Sequence, residues 1–156
     1  MASPSELDRM HDEHSIQRLL TQYNRYLDDG RIDELVDLFA PDGRLKSMGK
    51  DVVGRLAIGN FFRPGSASAQ IGSGQHVLSN TLIEWDHEEP RAVSDFTVIR
   101  RNAAGVSGIV LAGRYIDSFV HTPAGWRFKF RQAVALKRPD TDPADPRISA
   151  PFRADR

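Results

Sequence analysis

The sequence contains no cysteine, which excludes both a disulfide framework and a thiolate nucleophile. It also lacks an excess of either charge, because 21 Lys and Arg residues balance 21 Asp and Glu residues. No basic patch is interleaved with aromatic residues, so we expect no nucleic-acid partner. A net charge near zero favours self-association, and we therefore expect a homodimer or a homotrimer.

Long apolar runs are missing as well. The first ten residues hold no apolar segment typical of a secretory signal, and no run approaches the length needed to span a bilayer. We therefore expect a cytoplasmic protein with no membrane partner. With 156 residues, 40% of them hydrophobic and 27% charged, the composition predicts a globular protein with one core.

Several motifs that would indicate a cofactor are absent. There is no P-loop, no dinucleotide-binding fingerprint, no His-Glu-x-x-His sequence and no nucleophile elbow. His11 and His14 have a spacing that could share a metal, but no third ligand is evident. We expect neither a cofactor nor a metal.

The first part of the chain shows helical periodicity. Ser3 is predicted as the N-cap of a first helix, with Pro4 at its first position and Glu6 closing a capping box. One apolar stripe of this helix, which ends at Asp29 and Gly30, comprises Ile16, Leu19, Leu20, Tyr23 and Leu27. A second helix is predicted from Ile32, Leu35, Val36 and Phe39, stopped by Pro41, and a third over residues 56–62.

A possible hairpin lies between the second and third helices, and a loop follows the third helix; after that loop the period changes from helical to two. Residues 44–48 and 50–53 could form a small hairpin around Gly49. Residues 65–74, rich in Gly, Ser and Ala, are predicted to form a loop that could act as a lid. Four antiparallel strands follow, at residues 75–85, 91–101, 106–121 and 125–137.

Helices first and strands afterwards predict an α+β fold with the helices on one face of the sheet. Residues 1–137 are predicted to form a single domain. Residues 138–156 are predicted to form a tail rich in Pro, Asp and Arg. In the last strand, alternation predicts that Trp126, Phe128 and Phe130 share one face, with Tyr115 or Phe119 packed beside them.

Polar residues on otherwise apolar faces are the candidates for function. Strict alternation puts His76 and Asn80 on the same face of the first long strand. Tyr23 lies on the buried helix stripe, and Asp28 lies near the helix C-terminus, where the dipole disfavours a carboxylate. Each also has a structural interpretation: His76 as a hydrogen-bonded core histidine, Asp28 as a solvated turn residue, and Tyr23 as a core aromatic.

Three segments carry a resemblance to a known family. They are IQRLLTQYNRYLDDGRIDELVDLFAPDGRL at residues 16–45, GQHVLSN at residues 74–80 and GRYIDSFVHTPAGWRFKFRQ at residues 113–132. In their order and spacing they resemble the SnoaL-like, or nuclear transport factor 2-like, superfamily. The resemblance covers about residues 16–136. It implies a cone-shaped, cystatin-like α+β barrel, in which N-terminal helices pack on a strongly curved, mostly antiparallel sheet.

The chain most resembles the dehydratase-like branch, which includes scytalone dehydratase, bile acid 7α-dehydratase and hexachlorocyclohexane dehydrochlorinase. The resemblance implies that Asp28 orients His76 as the base and that Tyr23 binds or polarises the substrate. It also matches Arg131 to a late-strand arginine of the family, although strict alternation puts Arg131 on the face opposite Trp126 and Phe128. We expect Asn80 to assist in substrate binding.

The sequence leaves three functions open. The first is a lyase that eliminates water from a small, partly apolar cyclic substrate, such as a hydroxylated steroid, polyketide or aromatic compound. The second is an isomerase or cyclase that uses the same base as a proton shuttle. The third is a non-catalytic module that binds a small molecule or assembles as the dioxygenase β subunits do, since fold alone does not determine function.

Overall fold

Helices and a single sheet make up the described part of the chain. The computed structural model describes residues 5–63 and 74–136. The helices are α1 (Glu6–Asp28), α2 (Ile32–Asp37) and α3 (Arg55–Phe62). The strands are β1 (Phe39–Ser47), β2 (Lys50–Val53), β3 (Gly74–Asp86), β4 (Glu89–Arg101), β5 (Ser107–Thr122) and β6 (Gly125–Ala135). Within these ranges no helix is long and apolar enough to cross a membrane.

The six strands form one mixed sheet in the order β2-β1-β6-β5-β4-β3. The predicted meander of long antiparallel strands is confirmed as β3 to β6. The predicted hairpin is also present as β1 and β2, and β1 joins the sheet by pairing in parallel with β6. The three described helices all come before the four long strands, and the sheet is mostly antiparallel, which confirms the α+β prediction. The predicted lid, apart from Gly74, and the predicted tail lie outside the described residues.

The second helix is shorter than predicted. It ends at Asp37, and Phe39 is the first residue of β1, paired with Phe128 of β6. The Phe39 carbonyl accepts hydrogen bonds from Nε and Nη2 of Arg55, at 2.9 and 2.7 Å. Assigning Phe39 to α2 was wrong because an apolar residue at helical spacing also suits a buried strand position.

The N-cap of helix α1 is Ser5, so the prediction of Ser3 as the N-cap was wrong. The Ser5 hydroxyl accepts a hydrogen bond from the backbone N–H of Asp8, and the Asp8 carboxylate accepts one from the Ser5 N–H, each at 3.1 Å. This reciprocal capping box satisfies two backbone donors that the helix leaves free. The end of α1 is as predicted, with Asp29 as the C-cap and Gly30 at φ 70°.

Two tryptophans attach the N-terminal half of α1 to the sheet. The indole N–H of Trp85 donates to Glu13 at 2.9 Å, and that of Trp126 donates to Asp12 at 2.8 Å. The two indole rings meet edge to face at 5.9 Å. Each ring therefore buries apolar surface while its polar N–H remains satisfied. Farther along α1, Ile16, Leu19, Leu20 and Tyr23 face the core, as the stripe predicts.

Two register shifts change which side chains face the helices. In β3 the shift lies between Ser79 and Leu82, and Asn80 adopts a positive φ of 49°. In β6, Phe128 pairs with Phe119, whereas Phe130 pairs with Ser118, so Lys129 is an extra residue. A bulge of this kind reverses the alternation beyond it.

The shift in β6 explains why one aromatic prediction was partly wrong. Phe128 is fully buried and contacts Phe119 at 5.4 Å, as predicted. Phe130, however, lies on the other face of the sheet, where Arg44 covers its ring at 5.8 Å. Arg131 takes the inward position in its place and is fully buried.

An ion pair between Arg131 and Asp117 lies inside the core. The Arg131 Nε and Nη2 atoms donate to the two Asp117 oxygens at 2.8 and 2.7 Å. Both side chains are 0% exposed. Such a pair is tolerated only when the geometry of both hydrogen bonds is good, because each charge loses its hydration on burial.

Replacing Arg131 by Met should therefore lower the free energy of unfolding by about 3–5 kcal/mol, since it leaves the Asp117 charge buried and unpaired. Urea unfolding followed by circular dichroism measures the change. Arg114→Met is the matched control, because Arg114 pairs with Asp95 at the surface and should cost less than about 1 kcal/mol. Adding Asp117→Leu to Arg131→Met should recover much of the loss. Equal losses for Arg131→Met and Arg114→Met would contradict this account.

Candidate functional site

A cavity of about 530 Å³ opens between the helices and the inward face of the sheet. Its volume lies in the range of sites that bind small organic molecules. Most of the wall is apolar or aromatic, and the lining includes Tyr23, Leu27, Phe61, Phe62, Phe96, Val98 and Tyr115. The ionisable groups Asp28, His76 and Arg100 line it as well. The cavity therefore combines an apolar wall with a few polar groups.

Asp28 and His76 meet at this wall. Asp28 is the last residue of α1, and its Oδ1 atom lies 2.5 Å from the Nδ1 atom of His76. Its Oδ2 atom accepts a hydrogen bond from the His76 backbone N–H at 2.9 Å. The two side chains are 13% and 19% exposed. The contact expected between them is therefore present. The dipole of α1 disfavours a carboxylate at its C-terminus, but both Asp28 oxygens have partners in β3.

Two buried tyrosines line the cavity. Tyr23 and Tyr115 are each 3% exposed, and their rings meet edge to face at 5.9 Å. Phe96 stacks on Tyr115 at 4.4 Å. Burial raises the pKa of Tyr23 to about 12, although the positive charge of Arg131 opposes the rise. Burial, and then the neighbouring Tyr23, also raise the pKa of Tyr115. Both phenols are therefore neutral hydrogen-bond donors at neutral pH.

Arg131 lies behind the tyrosines rather than in the cavity wall. Its guanidinium carbon is 4.1 Å from the ring centroids of Tyr23 and Tyr115 and 4.3 Å from that of Phe128. The expectation from strict alternation, that Arg131 faces away from Phe128, was wrong because of the bulge in β6. Arg131 nevertheless does not line the cavity among the described residues. Its guanidinium packs against the two tyrosine rings.

Asn80 lies outside the cavity wall. It occupies the bulge of β3, is exposed, and donates a hydrogen bond to Asp95 at 3.0 Å. Thr81, not Asn80, follows Leu78 on the inward side, and the Thr81 hydroxyl bonds to Ser94 at 3.1 Å. The expectation that Asn80 shares a face with His76 was wrong because the positive φ of Asn80 breaks the alternation.

The model of the SnoaL-like domain family matches residues 8–132, more than half of the sequence. The chain belongs to the SnoaL-like domain family. None of the curated proteins matches it. The match spans α1 to β6 and so contains Tyr23, Asp28 and His76.

Solved structures share the fold of this SnoaL-like domain. An NTF2-like protein with a cystatin-like fold from Novosphingobium aromaticivorans superposes with a TM-score of 0.76 at 23% identity, covering 92% of this chain and 90% of the other. A protein provisionally named as a scytalone dehydratase, from the same organism, has a TM-score of 0.67 at 25% identity, with coverages of 83% and 87%. The β subunit of a provisionally named aromatic-ring-hydroxylating dioxygenase, also from that organism, has a TM-score of 0.66 at 17% identity, with coverages of 85% and 93%.

Several residues of the SnoaL-like cavity were not singled out from the sequence as site residues. Phe96, Val98 and Arg100 alternate along the inward face of β4, and Tyr115 lies on the inward face of β5. Alternation in β4 could have placed these three residues together. It could not distinguish a cavity wall from a filled core, since both present apolar side chains inward. In residues 5–63 and 74–136, no group of three or more His, Cys, Asp or Glu side chains could hold a metal ion.

The burial of Tyr23 predicts a late titration. With a pKa of about 12, only about a tenth of this phenol should be ionised at about pH 11, whereas an unfolded tyrosine titrates near pH 10. NMR of ¹³Cζ-labelled tyrosine, with Tyr23→Phe to assign the signal, measures this directly. The pKa of Tyr23 is higher in the folded than in the unfolded protein. The contribution of this difference to the free energy of unfolding is therefore complete below about pH 10 and is lost as pH rises through about 12. Half-ionisation of Tyr23 near pH 10 in the folded protein would contradict the prediction.

Proposed function

We propose that this SnoaL-like domain is a cofactor-independent lyase, dehydratase-like, that eliminates water from a small, partly apolar cyclic hydroxy-carbonyl compound. The observation that carries the proposal is the contact between the Asp28 carboxylate and the His76 ring in the wall of a largely apolar cavity. A core histidine would need a hydrogen-bond partner but no adjoining cavity. A solvated turn residue at Asp28 and a core histidine at His76 therefore do not explain why the two meet in a cavity wall.

His76 acts as the general base in this proposal. With Nδ1–H donating to Asp28, the lone pair of the neutral imidazole lies on Nε2. This atom removes the proton from the carbon next to the substrate carbonyl. Asp28 holds the ring in this tautomer and stabilises the imidazolium that forms, as the carboxylate does in other histidine-based sites. The protonated His76 then gives its proton to the departing hydroxyl, which leaves as water.

Tyr23 stabilises the negative charge that develops on the carbonyl oxygen. Its buried phenol is neutral and is held by contacts with Tyr115 and Phe128 at 5.9 and 5.8 Å. A donor fixed in advance in a water-poor site contributes more to the transition state than one that must reorient. Tyr115 also lines the cavity, its ring in contact with that of Tyr23, and contributes a second phenol in this proposal. Asn80 and Arg131 make no direct substrate contact in this mechanism.

The cavity supports a cyclic substrate of modest size. Its aromatic wall suits the flat, apolar face of a hydroxylated steroid, polyketide or aromatic compound, and its volume of about 530 Å³ is large enough for several fused rings. The similarity to a protein provisionally named as a scytalone dehydratase points in the same direction. We further propose that the protein is cytoplasmic, uses no cofactor or metal, and forms a homodimer or homotrimer.

Two other functions use the same cavity. An isomerase or cyclase would employ His76 to move a proton within the substrate without losing water. A non-catalytic module would bind a ligand or assemble with another subunit, as the similarity to a dioxygenase β subunit suggests at the level of fold. Mass spectrometry of the products separates elimination from isomerisation, because only elimination removes one water from the substrate.

His76→Ala should lower the rate of turnover by about 10²–10⁴-fold, the usual contribution of a general base. Asp28→Asn should also lower kcat steeply, because the amide keeps the shape but removes the charge that supports the imidazolium. Tyr23→Phe should cost less than His76→Ala, since it removes one hydrogen bond and leaves the base intact. Single-turnover assays on a panel of cyclic β-hydroxy ketones measure the order of the three losses.

Asp29→Asn is the matched control for Asp28→Asn. Asp29 is adjacent and exposed, and it caps α1 through its backbone N–H, so its charge should not affect turnover. Circular dichroism should first establish that each variant is folded. Wild-type turnover by a folded His76→Ala protein would mean that the Asp28–His76 contact is structural, and the binding module would then replace the lyase.

A further inference from the structure

The turn between β1 and β2 holds a bulky side chain in a backbone conformation that it rarely adopts. Ser47 pairs with Lys50, so Met48 and Gly49 form a two-residue turn. Both have positive φ values, 51° for Met48 and 75° for Gly49, as in the type I′ turns of short hairpins. Asn, Asp and Gly are preferred at the first position of such a turn, and a larger side chain is strained there. Met48 therefore costs free energy that Asn would not.

Met48 lies at the rim of the cavity. It lines the cavity although it is 69% exposed. His76 lines the same cavity from β3, and the strands β6, β5 and β4 separate β1 from β3 in the sheet. Along a flat sheet this separation would be about 19 Å, four spacings of about 4.8 Å. Because both strands line one cavity, the sheet curves around it, and Met48 and His76 face the cavity from different sides.

Met48 belongs to an apolar rim at one end of the sheet. Strand β1 runs parallel to β6, and β6 runs antiparallel to β5, so Met48 lies at the same end of the sheet as the start of β5. There Val110 and Leu111 are exposed and also line the cavity. Exposed apolar side chains that border a cavity are typical of a surface that a ligand covers. The rim therefore favours a ligand whose outer end is apolar.

The strain at Met48 suggests a role for its side chain. Residues other than glycine with positive φ occur at ligand clamps, where the surrounding structure holds them in place. Methionine is unbranched and flexible, so its thioether can follow the outline of an apolar ligand. Covering the side chain would also remove apolar surface from water, which is favourable. Contact with a ligand thus accounts for both the residue type and its exposure.

We propose that Met48 is a specificity-determining residue that closes over the outer end of an apolar ligand in the cavity. The reacting end of the ligand lies at His76 and the opposite end contacts Met48, so the site selects compounds whose far end carries no polar group. The orientation towards His76 rests on the proposed function. The contact with Met48 depends only on the cavity and the turn.

Met48→Asn should change affinity and stability in opposite directions. The probe is 9-phenanthrol, an apolar compound of three fused rings, and its binding is followed through its own fluorescence at neutral pH. The variant should bind it on the order of fivefold more weakly, because an apolar contact is lost. The Tm without ligand should rise by about 2 °C, because Asn suits the turn. A purely structural role of Met48 would change the Tm and leave the affinity as it is.

Two further variants separate the contact from the turn. Met48→Leu keeps an apolar side chain and should retain most of the affinity without the gain in Tm. His87→Asn is the matched control: His87 has a positive φ of 56° in the turn between β3 and β4 and is not among the described residues that line the cavity. It should bind the probe as the wild type does. In a His76→Ala background, Met48→Asn should still weaken binding by the same factor, so a failure of the lyase mechanism can be told apart from a failure of the Met48 contact.

Three results would overturn the proposal. The first is wild-type affinity of Met48→Asn for 9-phenanthrol. The second is a loss of affinity in Met48→Leu or in His87→Asn as large as that in Met48→Asn, since neither variant removes an apolar contact at the rim. The third is the absence of binding by the wild-type protein at the solubility limit of the probe. Should Met48→Asn fail to fold, wild-type affinity of Met48→Gly, which also suits a positive φ, would overturn it equally.

Discussion

The buried ion pair of Arg131 and Asp117 is the constraint on which the tyrosine wall of the cavity depends. Both charges are removed from water, so the guanidinium must stay within hydrogen-bonding distance of the carboxylate. The rings of Tyr23, Tyr115 and Phe128 pack around this guanidinium. Because the cation attracts each ring, the ion pair also determines where these rings lie. The ion pair and the cation–π contacts of Arg131 together join α1, β5 and β6 and hold the rings of Tyr23 and Tyr115 in the cavity wall.

A second contact between α1 and the sheet organises the other side of the cavity. Asp28 ends α1, where its charge opposes the helix dipole, and both of its oxygens are satisfied by His76 of β3. The carboxylate therefore has in β3 the hydrogen-bond partners that its own helix does not provide. The imidazole of His76 therefore lies in the cavity wall with its Nδ1 atom in contact with Asp28. A carboxylate–imidazole contact and two neutral phenols are thus held by different elements around one cavity, and the proposed proton transfer next to a carbonyl would use these groups.

Much of this arrangement follows from local patterns. The apolar stripe of α1 places Tyr23 in the core and Asp28 near the helix end, because both positions depend only on the helical period of 3.6 residues. In β3, the strand period of two residues likewise places His76 on the inward face. The contact of Asp28 with His76 was predictable once α1 was known to pack on β3. The predicted N-cap and the end of α2 were wrong by a few residues, because Ser3 and Ser5 carry the same capping group and Phe39 suits either a helix or a strand.

The sequence by itself determined the type and order of most elements, the inward direction of Tyr23 and His76, and the position of Asp28 near the end of α1. Tertiary structure alone decided the roles of Asn80 and Arg131. An extra residue in β3 turns Asn80 outward to Asp95, and an extra residue in β6 turns Arg131 inward to Asp117. The physical reason is that a bulge forms where two strands must bend around the core, and its position depends on the partner strand. Alternation within one strand carries no information about that partner, so the same pattern predicted the opposite face for both residues.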